Sequence, residues 1–339
     1  MKAAKHILLL HFMVFLIFVG CKRSSTKNSF YYWKSNYSNS LVEKRVIREN
    51  QISTLYLHFF DVVYNKELSR VNPVAIIKIQ DTLPEVVIPV VYIENAAFQN
   101  TTLSDIDKLA EHVLKLIRLV ADSNDITINE LQFDCDWSET TKEKYFHFLE
   151  TTRKQWPGIK LSATIRLHQI KYKERTGIPP VNSAVIMLYN MGDLASFVET
   201  NSILNIEKAR LYIDYLKSYT LPYQLALPLF SWGVVFRNEK LIYLNNEIVV
   251  DDLKDTSSFE PLSANRFLCK KGYFLHGNYL MQSDIIRYES SNYDNVNEML
   301  QLAIASGSNQ ENDIILYYLD EKIINQFGTQ NIQKLFKGN

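Results

Sequence analysis

Glu130-Leu131-Gln132-Phe133-Asp134-Cys135-Asp136-Trp137-Ser138-Glu139 reads as the end of a buried strand that runs straight into a helix. Alternate side chains of a strand face the same way, so Asp134, Asp136 and Ser138 are expected on one face. Phe133, Cys135 and Trp137 then share the other. Two carboxylates thus meet at the carboxyl end of a strand, where α/β folds and (β/α)8 barrels bind ligands and carry out chemistry. Asp134 and Asp136 are therefore the first candidate catalytic residues of the chain.

Outward from this stretch, strand-like and helix-like segments alternate, the pattern of a parallel sheet with crossover helices. Strands are expected at 30–35, 54–63, 85–94, 128–136, 160–167, 184–190, 223–230 and 314–319. Between them, the clearest helix covers 104–120, where Ile106, Leu109, Ala110, Val113, Leu116, Ile117 and Val120 recur at helical spacing. A second helix is expected over 140–155, with Thr140-Thr141-Lys142-Glu143 as a capping box, and a third over 206–217. The fold class is α/β, a (β/α)8 TIM-type barrel forming one domain over 30–337. The rhythm breaks between strands 7 and 8, where an inserted subdomain is expected at about 238–291. There 241–250 reads as a β-hairpin turning at Asn245-Asn246. A βα-loop insertion lies on the ligand-binding face, so a wall or lid is expected, and the helix 292–305 should return to the barrel.

At the N-terminus, Lys2 and Lys5 precede an apolar run from Ile7 to Val19 that ends in Gly20-Cys21. A charged start, a short apolar core and small residues at a cleavage point form a secretory signal, here 1–20, and the run is short for a membrane span. The Gly-Cys end resembles a bacterial lipoprotein signal, which implies lipidation of Cys21. The polar stretch 21–29 then serves as a tether. The expected location is the bacterial cell envelope, lipid-anchored, in the outer membrane, with the membrane as a partner.

Lys plus Arg number 37 and Asp plus Glu number 37, with no long basic run, so a nucleic-acid partner is not expected. Cys135 and Cys269 lie far apart and neither reads as a disulfide partner. No Cys/His cluster has ligand spacing, so no metal and no cofactor are expected. The 20 Tyr and 18 Phe are mostly core, yet flat aromatic faces also hold the apolar faces of sugar rings. A monomer is expected.

Asp134-Cys135-Asp136-Trp137-Ser138 resembles the Asp-Gly-x-Asp-x-Asp-Trp-Glu signature that ends the fourth barrel strand of family-18 chitinases. The family's first Asp and Gly fall on Leu131 and Gln132, and its proton-donating Glu falls on Ser138; Glu139 comes one residue late. Met187-Leu188-Tyr189-Asn190 resembles the family's Met-x-Tyr-Asp strand, with Asn190 in place of Asp. Ala226-Leu227-Pro228-Leu229-Phe230-Ser231 is similar to its Gly-x-Pro-x-Tyr-Gly stretch, with Phe230 in place of Tyr. The order suits strands four, six and seven of one barrel. A nearer resemblance is to bacterial lipoproteins of uncharacterised activity with this same look.

The resemblance implies a glycan ligand, N-acetylated for preference. It implies that Asp136 orients the substrate's acetamido group, that Asp134 tunes Asp136, and that Tyr189 hydrogen-bonds the forming oxazolinium. Glu139 replaces the missing acid only if the backbone has turned before it. Asp61, Glu94, Arg166 and His168 also end strands, and with Trp137, Asn190, Phe230 and Trp232 they are candidate binding residues. Alternatively, Asp134 and Asp136 cap the following helix or pair with Arg166, Tyr189 packs, and Phe230 and Trp232 are core aromatics. Two functions stay open. One is a glycoside-hydrolase-like enzyme using Asp136 with Glu139 or another acid. The other is a non-catalytic carbohydrate- or protein-binding lipoprotein derived from a degenerate chitinase-like fold.

Overall fold

The computed structural model describes residues 28–307 and 310–338; the expected signal segment, Cys21 and most of the expected tether lie outside the described residues. Eight parallel strands form the central sheet: β1 (Ser29–Tyr32), β2 (Thr54–Asn65), β3 (Val86–Ile93), β4 (Glu130–Asp134), β5 (Lys160–Arg166), β6 (Ser183–Met187), β7 (Tyr223–Pro228) and β8 (Gln310–Tyr317). The sheet closes because Phe30 of β1 pairs with Leu316 of β8 on one side and Leu55 of β2 on the other. The chain is a (β/α)8 TIM-type barrel.

Strand alternation explains the layering. In β4, Leu131, Phe133 and then Cys135 face the helical layer and are buried, with Phe133 edge-on to Phe148 of the helix Lys142–Gln155. Gln132 and Asp134 face the barrel interior. There Tyr31 donates to Gln132 at 2.5 Å and Thr164 donates to Asp134 at 2.5 Å. These two bonds tie β4 to β1 and β5 across the polar interior. Outside, the helix Ile106–Asp122 buries Ile106, Ala110, Val113, Ile117 and Val120, and its largest side chains contribute about 1.5–3 kcal/mol each.

Three local expectations fail. The helix after β4 starts at Lys142 and no capping box forms at Thr140; instead the Ser138 N–H donates to Thr141 Oγ1, which donates to Asn95. The segment 206–217 is a short helix, Ile206–Arg210, followed by a 3-10 turn, Ile213–Ser218. No hairpin turns at Asn245-Asn246. Strands Ser231–Arg237 and Lys240–Asn245 pair antiparallel around Asn238 and Glu239, both at positive φ (50° and 61°), the geometry of a two-residue hairpin turn. A five-stranded antiparallel sheet follows, beginning at Ser231, directly after β7 and earlier than expected, and ending with Ile285–Ser290. The helix Tyr293–Ser306, capped by Asn292, then returns to the barrel.

Candidate functional site

At the carboxyl ends of the barrel strands lies a cavity of about 290 Å³. Its walls are aromatic, with Trp33 beyond β1, Tyr92 on β3, Tyr189 beyond β6, Phe230 and Trp232 beyond β7, and Tyr317 and Tyr318 at β8. Tyr189 stacks on Tyr317 with centroids 5.2 Å apart, and Phe230 stands edge-on to both. Asp61, Asp134, Arg166 and Asn190 supply its polar lining.

A bulge in β2 brings Asp61 to the cavity. The register shifts between His58 and Phe60, so His58 and Asp61, three residues apart, meet at 2.6 Å. His58 is buried, and its Nδ1 has no hydrogen-bond partner among the described residues. Asp134 stands at the end of β4, only 8% exposed. Burial, reinforced by the charge of Asp136, pushes its carboxyl up to about 6, against the lowering effects of Thr164 and Arg166. The Tyr92, Tyr189 and Tyr317 phenols are also pushed up, chiefly by burial. All three stay neutral donors at any ordinary pH.

Asp136 lies beyond the end of β4, near enough to Asp134 for its charge to raise that carboxyl. Its two oxygens accept from Nε and Nη2 of Arg166, a bidentate fork. Asn190 has a left-handed backbone (φ 55°), and its buried side-chain oxygen has no hydrogen-bond partner among the described residues. An orphaned acceptor in a cavity wall suits a donor on a ligand.

The cavity therefore brings together Asp61, Asp134, Arg166, Tyr189, Asn190, Phe230 and Trp232, with Asp136 behind Arg166. Four candidates lie elsewhere. Glu94 turns to the backbone N–H of Tyr64 (3.2 Å), because β2 extends past the barrel rim beside it. Trp137 continues the outward face of Phe133 and Cys135: it is buried, stacks on Tyr145 and donates to the Thr176 carbonyl. Glu139 is half exposed and held by Arg175 at 2.8 Å. His168 is exposed beyond β5. Trp33, Tyr92, Tyr317 and Tyr318 escaped the sequence reading, although alternation places Tyr31 with Trp33 and Ile315 with Tyr317 on the inward face of their strands.

The chemistry follows from these positions. At the position where the resemblance to chitinases would put an acid stands Ser138, whose hydroxyl lies 2.9 Å from that of Thr140 and 3.2 Å from that of Thr141 in the loop before the helix. A serine hydroxyl is no proton donor near neutral pH.

No protein-family model and no curated protein sequence matches this chain. Solved structures do. The spore cortex-lytic enzyme SleL of Bacillus cereus superposes with a TM-score of 0.52 at 14% identity, over 92% of this chain and 74% of that one. SleL of Bacillus megaterium QM B1551 gives 0.54 at 12% identity, over 92% and 73%. A chitinase from Chromobacterium violaceum gives 0.52 at 10%, over 93% and 99%. The fold is that of chitinase-like barrels, and at these identities the likeness speaks for the fold alone.

Proposed function

We propose that this chain is a glycan-binding protein whose barrel mouth holds one ring of an amino-sugar chain, N-acetylated for preference, and that it does not hydrolyse it. The observation that carries this reading is an intact aromatic-walled cavity at the catalytic end of the barrel, combined with Ser138 in the acid's place. Glu139 does not line the cavity and pairs with Arg175 instead. Sugar rings stack their apolar faces on aromatic side chains, while Asp61, Asp134 and Asn190 supply partners for hydroxyl and amide groups. Calorimetric titration with N-acetylglucosamine oligosaccharides tests this. The parent should bind without releasing new reducing ends, and Trp232→Ala should weaken binding about tenfold through the lost stacking area. Cleavage by the parent would turn the reading to an enzyme, with Asp134 as the acid to examine first.

The same reading places the barrel on the cell envelope, supported by the apolar run ending in Gly20-Cys21. Acyl chains on one cysteine supply the two hydrophobic signals that stable anchoring needs. Cys21→Ser should move the protein from the membrane pellet to the soluble fraction or leave it unprocessed. A variant that fractionates and migrates like the parent refutes lipidation.

A further inference from the structure

The inserted sheet contains a fully buried ion pair that no step of sugar binding uses directly. Arg287 and Glu289 lie on the strand Ile285–Ser290, two residues apart and so on one face, with side-chain exposures of 0%. Trp232 is the cross-strand neighbour of Glu289, on the strand that leaves β7. Glu289 Oε1 accepts from Arg287 Nε at 2.5 Å. Its Oε2 accepts three bonds: from the Ser202 N–H at 2.7 Å, from the Ser202 hydroxyl at 2.5 Å and from the Trp232 indole N–H at 2.9 Å. Arg287 uses its other nitrogens on the Ser196 and Leu194 carbonyls. The loop gripped in this way is the one that follows Asn190 after β6.

A buried pair of this kind adds little net stability, because desolvation offsets most of the attraction, and it persists where it fixes one arrangement. Here the arrangement fixed is the cavity wall. Trp232 is held at one edge by Phe230, with centroids 5.1 Å apart, and at the other by Glu289. The loop that carries Asn190 is tied to the same carboxylate. Resting on the glycan-binding reading above, we infer that Glu289 is a positioning residue: it presets the Trp232 ring and the Asn190 loop so that the cavity needs no ordering when a sugar enters. Holding a rotamer-rich aromatic in its bound pose before binding removes that ordering cost from the affinity.

A double-mutant cycle with N-acetylglucosamine tetrasaccharide as the probe separates positioning from general support. Glu289→Gln should weaken binding about three- to tenfold. Trp232→Phe, which keeps a ring and loses the indole N–H, should weaken it by a similar factor, and the double variant should bind no worse than the worse single one. Losses that multiply would mean that Glu289 does not act through Trp232, and an unchanged Glu289→Gln would overturn the positioning role while leaving glycan binding intact. Should the parent bind no glycan, the reading beneath the proposal fails with it. If Glu289→Gln does not fold, the indole N–H of Trp232 in the unaltered protein decides: slow hydrogen exchange and a sharp signal before any sugar is added support presetting. A signal that sharpens only with sugar overturns it.

Discussion

Asp134→Asn is expected to leave the protein more stable than the parent by about 3 kcal/mol at pH 8, with the difference vanishing below about pH 4. Asp134 is buried at the end of β4, and burial together with Asp136 raises its carboxyl from 3.8 to about 6. Since the folded-state value lies above the unfolded one, the folded protein keeps this proton between about pH 4 and 6 while the unfolded chain gives it up. The stabilising contribution is therefore complete at low pH and is lost as pH rises through 6. Above that, the folded state holds a charge it would rather not carry. Asparagine keeps the oxygen that accepts from Thr164 at 2.5 Å and removes the charge, and its amide nitrogen can point into the cavity that Asp134 lines. Urea unfolding of both proteins from pH 4 to 8 measures the effect; parallel curves across that range would show that Asp134 ionises normally. A carboxylate kept at such a cost fits a binding residue, and the stabilised variant should bind oligosaccharide more weakly than the parent.

Much of the barrel was legible because it depends on local periodicity. The two-residue alternation around Phe133, Asp134 and Cys135 and the helical spacing from Ile106 to Val120 each report which face is buried, whatever lies beyond. The alternation even placed Trp137 outward, against its inclusion among the binding residues, and the structure follows the alternation. What stayed hidden depends on partners far along the chain. Glu139 is turned away by Arg175, 36 residues on, and Trp232 is anchored by Glu289, 57 residues on. Alternation within β8 gives the face of Tyr317, but its place in the cavity wall depends on β8 closing against β1, far along the chain. The bulge that re-aims Asp61 toward His58 likewise arises from the pairing of β2 with β3. The hairpin was misplaced for a related reason. Asn245-Asn246 has favourable turn residues, but the tighter connection at Asn238 and Glu239 puts Ser231–Arg237 against Ile285–Ser290 and completes a five-stranded sheet.

If the barrel binds glycans without cleaving them, as proposed, conferring hydrolysis should require two substitutions, not one. Ser138→Glu replaces the missing proton donor, a group typically worth about 10²–10⁴ in rate. Alone it should raise chitooligosaccharide cleavage less than tenfold over the parent, because Asp136 is bound in the Arg166 fork and cannot turn to orient an acetamido group beside the new acid. Arg166→Met keeps most of the side-chain bulk and releases Asp136. Asp136 is then free to turn toward the cavity and accept from an acetamido N–H, with Asp134 beside it. The double variant Ser138→Glu/Arg166→Met should therefore release reducing ends at least about a hundredfold faster than either single variant, approaching the contribution of a restored general acid. Reducing-sugar release measured at pH 5 to 8 on all four proteins decides the matter. Full activity from Ser138→Glu alone would show that Arg166 never restrained Asp136. An inactive double variant that still binds the tetrasaccharide would mean that the loop from Cys135 to Glu139 does not present residue 138 to the cavity, so that the backbone as well as the side chains stands against hydrolysis.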